Sequence, residues 1–250
     1  TYNKRRDGYI RVTYGNGNRI SNASVYEDVK LNNDTIDYTK IDLNRFNDTH
    51  IEVLNHINLF KWLGLSTGYV FHTRHAVDER SFELAKRPFI YRSFAPSIQL
   101  ELHPWNIGPL FTFNYERGIK GISKSDVGYE KFEFDAVYKF KLMRLRTLSF
   151  RAGGGFYTDK GSDIFVDYSN FRDNNLPENW NDDWSGQFQL LNDIWYNSSK
   201  YYIRTNFSYE SPMLFLTWMP FLGKYIEMER LYASTLWVDR LHPYTEIGYG

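Results

Sequence analysis

The sequence of 250 residues contains no cysteine, and its thirty basic and thirty acidic residues give no net charge. Without cysteine, the chain has neither disulfides nor thiolate ligands for a metal. Proteins that bind nucleic acid present a basic surface, whereas the longest basic block here is Lys4-Arg5-Arg6. We therefore predict neither a disulfide-stabilised scaffold nor a nucleic-acid-binding protein.

A long apolar run is also absent. A transmembrane helix needs roughly 18 consecutive apolar residues, and the closest approach, at 212–226, is interrupted by Pro220, Gly223 and Lys224. The mean hydropathy is −0.54. These observations exclude a helical membrane protein, but not a membrane β-barrel, because barrel strands need only about 9–11 residues of alternating character.

Aromatic residues are abundant, at 18% of the chain, with 20 Tyr, 19 Phe and 7 Trp. Aromatic side chains favour β-strands, and Tyr and Trp collect where one end of a ring is apolar and the other is wet. Membrane β-barrels carry girdles of such residues at both lipid–water interfaces. An aromatic-rich secreted β-sandwich is the alternative that composition leaves open.

Apolar and polar residues alternate with a period of two through much of the chain, and helical periodicity is almost absent. The clearest segment, 129–142, is longer than the five or six residues typical of a globular strand, which favours a strand between lipid and a water-filled lumen. Its aromatic-apolar face comprises Phe132, Phe134, Ala136, Tyr138, Phe140 and Leu142, and its charged face comprises Glu133, Asp135, Lys139 and Lys141, with Val137 as the exception.

Nine further segments show similar patterning, so the sequence predicts about ten strands. One of them, 8–14, precedes a turn signal at Asn16-Gly17. The polar residues 21–47 are interpreted as a loop or an irregular strand. The other strand segments are 51–59, 65–73, 94–103, 111–116, 148–158, 201–210, 231–238 and 244–250.

The predicted connections are of two sizes, which alternate along the chain as far as the strand ending near Leu142. Short ones lie at 61–64, 104–109, 143–147 and 239–243, and long polar ones at 74–91, 119–128 and 160–192. Short periplasmic turns and long extracellular loops are the plan of outer-membrane barrels. We therefore predict an all-β fold: one antiparallel transmembrane β-barrel domain over residues 1–250. Because a barrel cannot leave an edge strand unpaired in lipid, we expect further strands beyond one or both ends.

Short motifs with possible chemistry are interpreted as structural. The G-x-S-x-G pattern at 64–68 lacks the strand–turn–helix context of a nucleophile elbow, and His72-x-x-His75 lacks a ligand set of recognised spacing. The Asp-rich loop 159–183 lacks EF-hand spacing. Gly153-Gly154-Gly155 is interpreted as a kink of the barrel wall, or less strongly as a contact with a loop. The sequence predicts no enzyme activity, metal or cofactor, and a hydrolase that uses Ser66 and a histidine is a minor alternative.

The predicted lumen-facing side chains are charged residues of the strands, and the 160–192 loop is a second working part. Opposite charges on neighbouring strands can pair inside a barrel. The candidates are Glu116, Glu133, Asp135, Lys139, Lys141, Arg151, Arg204 and Glu210, with Arg172 in the loop.

Several segments resemble the BamA/TamA-like (surface antigen) outer-membrane β-barrel superfamily, in the branch with an N-terminal carboxypeptidase-regulatory-like domain. They cover roughly residues 92–250. These segments are YRSFAPSIQL (91–100), FNYERG (113–118), YEKFEF (129–134), FRAGGGFYTD (150–159), ERLY (229–232) and PYTEIGYG (243–250).

The resemblance implies a Gram-negative outer-membrane location and a role in the assembly or translocation of outer-membrane or surface proteins. Its partners would be outer-membrane lipids, client proteins and accessory lipoproteins. Assembly members of the superfamily carry an Arg-Gly-Phe/Tyr motif on a loop that folds into the lumen, whereas this chain offers only Phe171-Arg172-Asp173. This departure leaves open an alternative, a passive channel or a structural and binding barrel.

Overall fold

The computed structural model describes residues 7–21, 44–84, 86–105, 108–142, 145–160, 188–191, 201–219, 221, 225–239 and 242–250. Over these residues the chain is almost entirely β, with one six-residue helix, α1 (Glu79–Leu84), and short 3-10 turns at Ile122–Lys124 and Leu216–Trp218. The strands are β1 (Tyr9–Ser21), β2 (Asn44–Phe60), β3 (Leu63–Ala76), β4 (Ile90–Leu102), β5 (Leu110–Gly118), β6 (Tyr129–Lys141), β7 (Thr147–Lys160), β8 (Tyr201–Ser211), β9 (Glu229–Val238) and β10 (Tyr244–Tyr249).

The ten strands form one antiparallel sheet in which each strand pairs with the next along the chain. This confirms the prediction of an all-β fold with ten antiparallel strands. In the described part of the chain β1 and β10 do not pair with each other, so the sheet is open. No helix among the described residues is long and apolar enough to cross a membrane.

The two faces of the sheet differ in burial and in polarity. We call the face that carries Arg151 and Arg204 the buried face; many of its polar side chains, both arginines among them, are less than a tenth exposed. We call the opposite face the exposed face, because its large apolar side chains are exposed. Those side chains include Ile10, Val12, Tyr14, Ile51, Tyr69, Ile98, Leu100, Phe113, Phe134, Phe140, Phe150, Phe156, Tyr201, Ile203, Phe207, Trp237, Ile247 and Tyr249.

The connections between strands lie at two ends of the sheet. Connections 61–62, 103–109 and 142–146 define the short-connection end, and 77–89, 119–128 and 161–200 define the long-connection end. The last two connections reverse this sorting: 212–228 lies at the short-connection end and 239–243 at the long-connection end. The alternation predicted as far as Leu142 therefore does not continue through β8 to β10.

The first hairpin corrects one prediction. The turn signal Asn16-Gly17 does not end β1, because Asn16 pairs with Thr49 and Gly17 with Asp48 in a regular ladder that continues to Ser21. β2 begins at Asn44, inside the segment interpreted as a loop or irregular strand. Long-range pairing with β2 therefore overrides the local turn preference of Asn-Gly.

Two small apolar clusters lie against the buried face near the long-connection end. In the first, Phe82 of α1 packs edge-on against Phe46 of β2, with ring centroids 5.5 Å apart. In the second, Phe188 and Leu191 of the β7–β8 connection pack against Tyr202, Leu236 and Val238. Parts of two long connections therefore fold onto the buried face.

Candidate functional site

A network of six charged side chains occupies the centre of the buried face; we call it the charge network. It comprises Glu116 of β5, Lys131, Glu133 and Asp135 of β6, Arg151 of β7 and Arg204 of β8. Three of these side chains are acidic and three are basic, so their formal charges cancel. The alternation of the strands places all six on one face, because side chains two residues apart point to the same side.

Asp135 accepts hydrogen bonds from two arginines. Arg151 donates from Nε to Oδ1 at 3.0 Å and from Nη2 to Oδ2 at 3.2 Å. Arg204 donates from Nε to Oδ1 at 3.2 Å and from Nη2 to Oδ2 at 2.5 Å. The side chains of Arg151 and Arg204 are only 2% and 6% exposed. Two forked, charge-assisted contacts to one carboxylate fix the position of both guanidinium groups.

The glycine run on β7 makes the contact between Arg204 and Asp135 possible, which has to cross β7. Gly153 pairs with Asp135 on one side and with Arg204 on the other. A Cβ at Gly153 would lie 2.1 Å from Asp135 Oδ1, so a side chain there would occupy the space of the ion pair. At Gly155 a Cβ would lie 2.6 Å from Tyr202 Cε1, in the path of the Tyr202–Glu133 hydrogen bond.

These contacts give two of the glycines a role in side-chain packing. The pairing of β7 is regular through 153–155, and its register shift lies further along, between Glu130 and Lys131 of β6. Gly153 and Gly155 therefore leave room for contacts between β6 and β8 across β7.

The rest of the charge network is centred on Lys131. Its Nζ lies 3.1 Å from Glu116 Oε2 and 3.3 Å from Glu133 Oε2. The hydroxyl of Tyr129 donates to Glu116, and that of Tyr202 donates to Glu133 at 2.8 Å. A buried carboxylate requires such partners, because an unpaired buried charge is costly.

Five of the eight predicted strand candidates meet in this network: Glu116, Glu133, Asp135, Arg151 and Arg204. Glu210 instead contacts Arg230 of β9, nearer the short-connection end. Lys139 and Lys141 lie on the same face of β6, where they are exposed. Arg172 lies outside the described residues.

The sequence-based prediction missed Lys131 and the tyrosines that complete the network. Continuing the alternation of Glu133 and Asp135 by two residues towards the N-terminus would have identified Lys131. Tyr129 and Tyr202 had no such signal, because a tyrosine is expected on either face of a strand.

A second polar cluster joins β2 and β3 on the buried face. Asp48 contacts His72, with Oδ1 3.0 Å from Nδ1, and its Oδ2 lies 3.9 Å from His50 Nδ1. These three residues bring possible metal-ligand atoms within 4.8 Å of one another. Arg74 Nε also lies 3.3 Å from Asp48 Oδ1, so a guanidinium already neutralises this carboxylate and a divalent cation would have to compete with it. The spacing of His72 and His75 places them on opposite faces of β3.

Ser66 of the G-x-S-x-G pattern does meet a histidine. Its Oγ lies 2.8 Å from His56 Nδ1, and His56 Nε2 lies 3.3 Å from Asn58 Oδ1. Ser66 stands in a regular ladder, opposite His56 on one side and Gln99 on the other. It therefore lacks the exposed strand-to-helix turn that presents a nucleophilic serine.

Carboxylates order parts of two of the long connections, one by linking it to the sheet and one by capping its helix. Glu246 of β10 accepts hydrogen bonds from the backbone N–H groups of Gln189 and Leu190, at 2.7 and 3.0 Å. Asp78 precedes α1 and accepts hydrogen bonds from the hydroxyl and the backbone N–H of Ser81, at 2.6 and 3.2 Å. These two bonds, that of the hydroxyl first, hold the pKa of the Asp78 carboxyl below its ordinary value.

Together, these features define the class of the chain as an antiparallel β-meander with a charged buried face and an apolar exposed face. Residues 91–250 match the C-terminal domain of a family of unknown function, DUF5686. This match covers more than half of the sequence, so the chain belongs to the DUF5686 family. A comparison with curated proteins gives no match.

Proposed function

We propose that this chain forms part of a transmembrane β-barrel in a bacterial outer membrane. The observation that carries the proposal is the inversion of the two faces, with charges on the buried face and aromatic and aliphatic side chains on the exposed face. Outer-membrane barrels have this arrangement, with an apolar band towards lipid and polar side chains towards the interior.

The energetics favour lipid over water on the exposed face. Burial of a Val, Leu, Ile or Phe side chain contributes about 1.5–3 kcal/mol, so a water-soluble fold would be expected to cover this face. Monomeric soluble proteins rarely expose contiguous apolar patches larger than a few hundred Å². Among the described residues, no second sheet packs on the exposed face.

The strand lengths are also suitable for a bilayer. Strands β1 to β9 contain between 9 and 17 residues, and β10 contains 6. A tilted strand crosses the hydrocarbon core with about 9–11 residues. In this arrangement the short-connection end is periplasmic and the long-connection end is extracellular.

For the role of the barrel, we propose assembly or translocation of outer-membrane or surface proteins, without covalent chemistry or a cofactor. The resemblance to the BamA/TamA-like barrels supports this role. The alternative is a passive channel or a structural and binding barrel. The charge network, α1 and residues 188–191 all lie against the buried face, which favours an occupied interior over a wide pore.

The membrane proposal is testable with two single-cysteine variants, because these 250 residues contain no cysteine. Any cysteine elsewhere in the full-length protein is first replaced by serine. Phe134→Cys places a fluorescent label on the exposed face of β6, and Lys139→Cys places one on the other face of the same strand. In vesicles of the full-length protein, we expect acyl-chain nitroxides to quench the first label and aqueous iodide to quench the second. Equal quenching of both labels by iodide alone would overturn the proposal and favour a soluble β-sandwich.

A second experiment separates the two roles. Depletion of the full-length protein should lower the levels of other outer-membrane proteins, and the purified protein should not form steady open channels in a planar bilayer. Steady conductance with unchanged outer-membrane protein levels would replace the assembly role with the channel.

A further inference from the structure

The β8–β9 connection is strongly apolar and exposed. The structure describes its residues 212–219, 221 and 225–228, which we call the rim segment. Phe221, Tyr225 and Trp218 are 88%, 86% and 74% exposed. Residues 212–223 contain no charged side chain. A solvated turn of a soluble protein would have the opposite composition.

The rim segment folds back onto the exposed face of the sheet. Glu229 begins β9 on the same face as Trp237, yet it is only 1% exposed. Its carboxylate accepts hydrogen bonds from the backbone N–H groups of Leu214, Phe215 and Leu216. The hydroxyl of Tyr249 of β10 donates to the same carboxylate.

This arrangement reverses the usual burial pattern at one position. Along most of β9 the exposed face carries the more exposed residues, but Glu229 is more buried than its neighbour Arg230. A bare carboxylate on an apolar outer surface would be costly. Three N–H groups and one hydroxyl satisfy this carboxylate and fix the segment over the face.

The rim segment is continuous with the apolar exposed face. The ring of Phe215 packs edge-on against Tyr249, with centroids 5.8 Å apart. The hydroxyl of Ser211, the last residue of β8, accepts a hydrogen bond from the backbone N–H of Met213 at 3.2 Å. The segment therefore extends the outer surface of β8 to β10 at the short-connection end and does not cover the buried face.

We propose that the rim segment inserts into the boundary between headgroups and acyl chains of the inner, periplasmic leaflet of the bilayer. This inference rests on the proposed membrane location. Trp and Tyr are enriched at this boundary because their rings are apolar and carry one polar group. Trp218 and Tyr225 supply such rings, and Met213, Phe215 and Phe221 supply apolar side chains for the acyl-chain side.

Lipid is the occupant that the charges and the position favour. A protein partner on the lumen side would contact the buried face, which the rim segment does not join. A charged partner would need several complementary charges, whereas the rim segment carries one charged side chain among its described residues, Glu227. The carboxylate of Glu229 is turned inward to four donors, so it is not presented to a partner.

The test uses three single-cysteine variants of the full-length protein in phosphatidylcholine vesicles that contain nitroxide lipids. Phe221→Cys labels the rim segment. Leu145→Cys labels another connection at the same end, at a residue that is 78% exposed. Phe134→Cys labels the exposed face of β6. Heat-modifiability on a detergent gel verifies that each variant folds.

We expect shallow nitroxides to quench the Phe221→Cys label, and iodide to quench the Leu145→Cys label. A Phe221→Cys label quenched only by iodide, with the Phe134→Cys label still quenched by lipid, would overturn the inference and leave the membrane proposal standing. Iodide quenching of all three labels would overturn both. Quenching of Phe221→Cys by neither probe would indicate cover by protein and would also overturn the inference.

A Glu229→Gln substitution in the Phe221→Cys background tests the anchoring. The amide keeps the shape of the side chain but removes the charge that four donors share. We expect lipid quenching of the label to fall and iodide quenching to rise. Glu227→Gln, at an exposed glutamate of the same connection, is the matched control. Identical quenching in the two variants would show that Glu229 does not hold the segment.

Discussion

Arg204 of β8 donates to Asp135 of β6, with Nη2 2.5 Å from Oδ2, although β7 lies between the two strands. The contact crosses β7 at Gly153, the residue that pairs with both of them. A glycine in the middle of a strand is ordinarily unfavourable, because it packs no side chain. Here its missing side chain lets the Asp135 carboxylate of β6 pair with the arginines of both β7 and β8.

Gly153→Ala should therefore destabilise the fold. The new Cβ would lie 2.1 Å from Asp135 Oδ1 and 2.7 Å from the carbonyl oxygen of Phe134. Either the backbone of β7 or the Asp135 carboxylate would therefore have to move. We expect a loss of about 1–3 kcal/mol in the free energy of unfolding, measured by urea titration in detergent micelles. Gly17→Ala is the control, since its Cβ meets nothing within 4 Å. Equal stability of the two variants would contradict the role of Gly153.

Asp135→Asn should be destabilising by roughly 3 kcal/mol, because it leaves two buried guanidinium groups without their shared counter-charge. This loss of stability is at the lower end of the range for broken buried ion pairs, because the Asp135 side chain is 14% exposed. The same urea titration measures the loss. Lys139→Gln, on the same face of the same strand but exposed, should change stability by less than about 0.5 kcal/mol. A loss no larger than that of the control would mean that water replaces the carboxylate at little cost.

Glu246→Gln should release residues 188–191 from the buried face. The amide keeps one acceptor oxygen for two N–H donors, and a hydrogen bond to a charged group contributes about 1.5–3 kcal/mol. We expect amide hydrogen exchange of Gln189 and Leu190 to accelerate about tenfold or more, measured by mass spectrometry. Exchange in α1, which Glu246 does not contact, serves as the internal reference. Unchanged exchange at 188–191 would show that apolar packing of Phe188 and Leu191 alone holds the segment.

The start of α1 should depend on pH through Asp78. Its pKa is lowered in the folded state by the hydrogen bonds from Ser81, so the stabilisation is present above the unfolded pKa and is lost as pH falls through the folded pKa. Asp78→Ala should therefore speed amide exchange of residues 79–84 near neutral pH. The exchange rates of the variant and of the natural protein should become equal in acid, at a pH below the ordinary pKa of an aspartate. A difference that persists unchanged in acid would exclude the carboxylate as the cause.

Ser66→Ala should leave any ester hydrolysis by the purified protein unchanged, because Ser66 is buried in a regular ladder. It should lower stability by about 1–3 kcal/mol, since His56 loses its partner at 2.8 Å. Hydrolysis of p-nitrophenyl esters and a urea titration measure the two effects. Loss of hydrolysis in both Ser66→Ala and His56→Ala, with folding intact, would establish a serine hydrolase instead.

The sequence alone was sufficient to predict about ten strands and the alternation along their faces, but not the full extent of β1 and β2. A period-two pattern is local, so the alternation at 129–142 located β6 and separated Phe134 from Asp135 without knowledge of any partner. The same reasoning identified five members of the charge network. Local signals were misleading where pairing opposed them, as at Asn16-Gly17, where the ladder with β2 extends β1 through a favoured turn sequence.

The tertiary structure decided which residues meet. Register between strands places Arg204 opposite Gly153 and Gly153 opposite Asp135, and no pattern within one strand contains that information. It also decided that Glu229 lies under the rim segment, because backbone N–H groups from a connection satisfy it. Side-chain alternation is set within a strand by backbone geometry, whereas ion pairs and anchored connections are set by contacts between residues far apart in the sequence.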